Sequence, residues 1–122
     1  MTHLALAAGA KGLVYYWGPS RLYNIKDDAP EVWKGICDVI GELKSLTPFL
    51  QAGPKVLASA SPHPVKCWYA DAGGQRLVVL VNSTPAAAAP NPAAIGLLSD
   101  ASAQGQLRLA PYEVKMLRGK AR

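Results

Sequence analysis

The sequence predicts an α+β fold, with a helix–strand–helix part followed by a small antiparallel β-sandwich. Three observations lead to this. Leu13-Val14-Tyr15-Tyr16-Trp17 is a continuous apolar and aromatic run, the pattern of a strand covered on both faces. Trp33, Ile36, Cys37, Ile40, Leu43 and Leu46 recur at helical spacing and form one apolar stripe. Beyond Gln51-Ala52-Gly53-Pro54 the period changes, and short alternating segments are separated by Gly and Pro. Two domains are therefore expected, 1–50 and 55–118.

Each element has a local reason. Thr2 to Ala8 reads as the end of a helix, too short to stand alone, stopped by Gly9 in a left-handed conformation. Gly18-Pro19-Ser20 ends the apolar run, and Arg21 to Lys26 form a loop containing Tyr23. Asp28 is placed to cap the long helix, with Pro30 in its first turn and Glu31 reaching back as in a capping box. Pro48 ends that helix. Val56–Ala58, Val65–Tyr69 and Arg76–Asn82 are expected strands. Asp71-Ala72-Gly73-Gly74 is the hairpin turn between the last two. Residues 83–94, with three prolines and six alanines, form an irregular loop. Ile95–Leu98, Gln106–Leu109 and Tyr112–Leu117 are three further candidate strands.

Composition narrows the function classes. Half of the 122 residues are hydrophobic, which excludes a disordered tail. No run of about 18 apolar residues occurs, so no membrane-spanning helix is expected. Met1-Thr2-His3-Leu4 has no basic leader before an apolar stretch, so no secretory signal is expected here. Net charge is +5, and the excess lies in the second half, where Lys115, Arg118, Lys120 and Arg122 end the chain. We read these four as a solvated end rather than a nucleic-acid site, since no recognised nucleic-acid-binding pattern accompanies them. Cys37 and Cys67 form no Cys-x-x-Cys pair, and two buried free thiols are expected. His3 and His63 are too few for a metal site, and Ser59, Ser61 and Ser83 lack a nucleophile motif. No metal or cofactor is expected.

The first part is too small to stand alone. A strand covered on both faces needs neighbours on both sides, and the chain offers no second parallel strand. Leu4-Ala5-Leu6-Ala7-Ala8-Gly9-Ala10-Lys11-Gly12-Leu13-Val14-Tyr15-Tyr16-Trp17 resembles the passage from helix 7 to strand 8 of (β/α)₈-barrel glycoside hydrolases. The β-galactosidase-like and cellulase-like members of the large retaining clan are the nearest in pattern. The helix after Asp28 resembles the last barrel helix. Residues 55–118 are similar to the small sandwich that follows such barrels, and Leu109-Ala110-Pro111-Tyr112-Glu113-Val114 looks like its closing signature. The resemblance implies a barrel remnant plus a covering domain, with the remainder of the barrel, or a second copy of the chain, as partner.

Retaining chemistry in that family needs two carboxylates about 5–5.5 Å apart. The family supplies them from barrel strands 4 and 7, which have no counterpart here, so no catalytic residue is expected in this chain. Asp27, Asp28 and Glu31 belong to a helix start, which keeps carboxylates ionised and unsuited to a general acid. One role carries over by resemblance: Trp17 matches the tryptophan that floors the sugar subsite. Tyr15 shares its side of the strand, and Arg21 and Tyr23 follow in the eighth loop, where barrel sites are built. Trp17, Tyr15, Arg21 and Tyr23 are the candidate carbohydrate-binding residues, the alternative being that Trp17 and Tyr15 fill a core. Trp33 is expected in the helix core, and Trp68 either exposed on the sandwich or packed against a helix. A stand-alone β-sandwich interaction module that self-associates is the rival reading.

Overall fold

The computed structural model describes residues 1–16, 24–58, 63–99 and 107–121. The fold is α+β, as predicted: helices accompany a four-stranded antiparallel sheet. Two units form. One comprises Met1–Lys11 with the chain from Pro48 onward, and the other Gly12–Thr47. The first helix, α1 (Thr2–Ala7), therefore belongs with the sheet and not with the following segment.

The sheet is a meander in the order β1 (Lys55–Val56), β2 (Val65–Ala72), β3 (Gln75–Asn82), β4 (Val114–Gly119). The β2–β3 hairpin closes at Gly73 and Gly74, with Ala72 opposite Gln75. Both glycines have positive φ, 58° and 76°, as a two-residue type I′ turn requires. That turn fixes the register, which pairs Cys67 with Leu80 and Trp68 with Val79.

Alternation sorts these strands into two buried faces. On one, Val65, Cys67, Val78 and Leu80 pack with Ala94, Leu98 and Leu109. On the other lie Trp68, Ala70, Leu77 and Val79, all buried, and α1 packs against β2 and β3. Trp68 is thus wholly buried. Its Nε1 has no hydrogen-bond partner among the described residues. Arg118 of β4 lies over the Phe49 ring of α4 (Thr47–Gln51), 5.4 Å from its centroid. The basic end is therefore strand as far as Gly119, and Ala121 beyond it bridges to Leu98.

The layer facing the first sheet face departs from the expected strands. Ile95–Leu98 is not a strand. Asn91 Oδ1 accepts the Ala93 amide and Pro92 takes the first helical position, so α5 (Pro92–Ile95) forms instead. Pairing in this layer is confined, among the described residues, to the bridges Ala88↔Leu109 and Leu98↔Ala121.

Asn82 organises that layer. It is 1% exposed, and its Nδ2 donates to the carbonyls of Ala86 (2.7 Å), Ala110 (3.0 Å) and Leu109 (3.4 Å). Its Oδ1 accepts the amide and hydroxyl of Thr84. Every polar atom of this buried amide is satisfied, which is what burial demands.

In the other unit, α2 (Ile25–Asp28) packs with α3 (Pro30–Ser45). Capping falls four residues earlier than expected. Asn24 Oδ1 accepts the Lys26 amide at 3.0 Å, and the Asn24 amide donates to Asp28 Oδ2 at 2.6 Å. Asp28 thus closes a reciprocal cap on α2, whereas α3 begins at Ala29 with no side-chain cap. Leu13–Tyr16 forms no strand, because a strand is stable only with a hydrogen-bonded neighbour and this unit has none among its described residues.

Candidate functional site

The segment read as a sugar subsite is described only in part. Trp17, Arg21 and Tyr23 lie outside the described residues, so Tyr15 alone of the four can be placed. Tyr15 and Leu13 are part-buried, while Val14 and Tyr16 are 94% and 82% exposed. The alternation is that of an extended chain, and it leaves two large apolar side chains in solvent.

Helix α3 continues this exposure. Its sixteen residues include none that is buried. Trp33, Ile36 and Leu43 are half-buried, and Val32 and Ile40 are exposed. On a helical wheel the apolar positions from Val39 through Val32 and Leu43 to Cys37 sweep an arc of roughly 160°, wider than the ~100° that one contact face needs. Cys37 is exposed, against expectation, and Cys67 is buried; both are free thiols. Burial pushes the Cys67 thiol up to about 12, so it is neither nucleophile nor ligand at neutral pH.

Four of the described acids, Asp28, Asp38, Asp71 and Glu113, serve local structure. Asp71 pairs with Arg76, whose Nε and Nη2 reach its two oxygens at 2.6 and 2.8 Å. That hydrogen bond holds the Asp71 carboxyl below its usual range, the opposite of what a general acid needs. Asp38 accepts from Lys34 one helical turn away at 2.6 Å. Asp28 caps α2, and Glu113 Oε2 accepts the Ala110 amide at 2.7 Å. Among the described residues no group of three metal-binding side chains converges.

Two further features stand on the sheet unit. A shallow apolar cleft of about 330 Å³ is lined by Ala89, Pro90, Pro92, Ile95 and Leu107. Its lining among the described residues carries no charged side chain. The second feature is the turn at Tyr112. Tyr112 is the one non-glycine with positive φ (56°) among the described residues, and it is 65% exposed. A bulky residue in the left-handed region costs roughly 1–2 kcal/mol. The surrounding hydrogen bonds hold it there. The Tyr112 amide donates to the Thr84 carbonyl at 3.2 Å, and the Glu113 amide to the Ala110 carbonyl at 3.1 Å. The sequence pattern places Tyr112 at the start of a strand, and the structure corrects this. The signal for the turn is Pro111 followed by Tyr and an acid, a turn sequence rather than a strand opening.

No protein-family description, curated protein or solved structure matches this chain.

Proposed function

We propose that this chain is the C-terminal part of a retaining (β/α)₈-barrel glycoside hydrolase, not itself catalytic, whose sheet unit is a structural module. The observation that carries this reading is α3: an amphipathic helix with a wide apolar arc and no buried residue. Val14 and Tyr16, in the same unit of residues 12–47, are exposed apolar side chains as well. Surface of this kind marks a contact that is missing. A barrel helix meets a strand layer on one side and neighbouring helices on the other, which accounts for an arc of that width. In the parent, Trp17, Tyr15, Arg21 and Tyr23 would line a sugar subsite, and the carboxylate pair would come from upstream strands.

The engagement of Asp28, Asp38, Asp71 and Glu113 in caps, turns and ion pairs supports the non-catalytic part of this reading. The test is direct. This 122-residue chain is incubated with aryl β-glycosides and with polysaccharide, beside the natural gene product isolated from its source. The gene product is expected to release the aryl alcohol and this chain is not. Hydrolysis by this chain alone contradicts the proposal.

The same exposed side chains favour one second reading, a module that associates with its own copies through residues 12–47. Sedimentation separates the two. A discrete dimer that persists on dilution favours the module, whereas open-ended association at rising concentration favours a fragment.

A further inference from the structure

We propose that Tyr112 is a carbohydrate-stacking residue on the sheet unit, distinct from the Trp17 segment. The choice of ligand class rests on the glycoside-hydrolase reading above; the choice of residue does not.

The residue is singled out by its backbone. The left-handed conformation at position 112 is natural for Gly or Asn, which reach it at little cost. The chain carries a tyrosine there instead, and does not bury it to recover the difference. The conformation is imposed from several sides. Tyr112 N–H is tied to Thr84, Ala110 and Glu113 close on each other through two hydrogen bonds, and Asn82 holds the Ala110 carbonyl from beneath. Strain maintained by such a frame, with the side chain turned outward, points to a use for that side chain.

The chemistry around it fits a sugar. An exposed phenol ring offers an apolar face to the C–H side of a pyranose. Glu113 and Lys115, next along the chain, are each about one-third exposed, with Oε1 and Nζ 3.8 Å apart. The Glu113 oxygens are engaged by the Ala110 amide and by Lys115, and the Lys115 ammonium keeps N–H donors for a sugar hydroxyl. Ala110 and Pro111 before it are small or flat. A fixed backbone lowers the ordering cost of a weak ligand. One aromatic residue on a turn is too little surface for a protein partner, which needs about 800 Å² per side.

The test titrates the full chain with cellohexaose, xylohexaose and a galactan-derived oligosaccharide, followed by NMR and calorimetry. At least one is expected to bind in the millimolar range or tighter. Tyr112→Ala is expected to weaken that binding by about fivefold or more, Tyr112→Phe to keep it, and Tyr16→Ala, which removes another exposed ring, to leave it unchanged. Tyr112→Gly separates function from folding: it is expected to raise Tm by about 4 °C while weakening binding like the alanine variant. No binding of any of the three sugars at 10 mM, as an approximate ceiling, overturns the inference. So does a loss under about fivefold in Tyr112→Ala, or an equal loss in Tyr16→Ala. A natural gene product much longer than this chain, found together with absent binding, defeats this inference alone and leaves the parent reading intact.

Discussion

Asn82 Nδ2 donates to the Ala110 carbonyl at 3.0 Å, joining the end of the central strand to the turn that displays Tyr112. The same amide also reaches Ala86 and Leu109, so one buried side chain replaces a ladder of strand bonds in the layer above the sheet. Removing it takes one donor from each of three carbonyls and the acceptor from the Thr84 amide and hydroxyl. Asn82→Ala is expected to destabilise the sheet unit by about 2–4 kcal/mol, measured by urea unfolding. Asn82→Asp is expected to cost as much, since it substitutes a charged acceptor for the donor.

The thiols are expected to behave differently. Cys37 is exposed and should react with a thiol reagent in the native protein at neutral pH, whereas Cys67 should react only on unfolding. The raised Cys67 value also gives a pH dependence. Its thiol keeps its proton in the folded state up to about 12, while the unfolded chain loses it near the ordinary value of 9.0. The associated stability is complete below pH 9 and declines from there to pH 12, by at most about 1.4 kcal/mol per pH unit. Unfolding measured across that window in Cys67→Ala should lack this decline.

Arg76 does more than neutralise Asp71. It also donates to the Leu97 carbonyl at 3.2 Å and lies 5.1 Å from the Tyr69 ring centroid. Arg76→Ala is expected to cost about 1–2 kcal/mol, and Asp71→Ala under about 1, because an exposed ion pair alone is weak. Asp71 has a lowered carboxyl value, so its contribution is present above the normal carboxylate range. It is lost as the pH falls through the depressed folded value. Denaturation of the two variants at neutral and acidic pH checks both statements.

Gly35 and Gly41 lie inside α3, and a Cβ at either would meet no atom within 4 Å. Replacing either by alanine should raise stability by about 0.5–1 kcal/mol, read from the helical circular dichroism on heating. If a parent domain packs onto Gly35, the same change is expected to lower the stability of the longer protein.

Much of the fold was legible because local signals and tertiary demands agreed. The hairpin at Gly73-Gly74 is the clearest case: two adjacent glycines between alternating apolar runs leave little choice of turn or register. The stripe from Trp33 to Leu43 likewise predicted α3 close to its observed bounds. Sequence and structure differ where a short apolar run is compatible with two backbone conformations. Ile95–Leu98 looked like a strand by composition, but Asn91-Pro92 is a helix start, and that governs the backbone of the following four residues. Asp28 looked like the cap of α3 because Pro30 follows it. Asn24, four residues earlier, proved the better acceptor and drew Asp28 into its own cap. The run from Leu13 was expected to pair as a strand, and pairing depends on a partner that no local pattern can supply. Trp68 was open between surface and core, and the register with Val79 decided for the core. Of the candidate site, Tyr15 alone lies among the described residues. Tyr112 reads as the start of a strand because positive φ at a tyrosine runs against propensity.

The most direct test of the central claim is the intact mass of the natural gene product in its source. A mass far above 12.9 kDa, with a barrel-sized segment upstream of these residues, is the predicted result. A mass equal to that of this chain contradicts the claim, and would assign the exposed face of α3 to contact between copies instead.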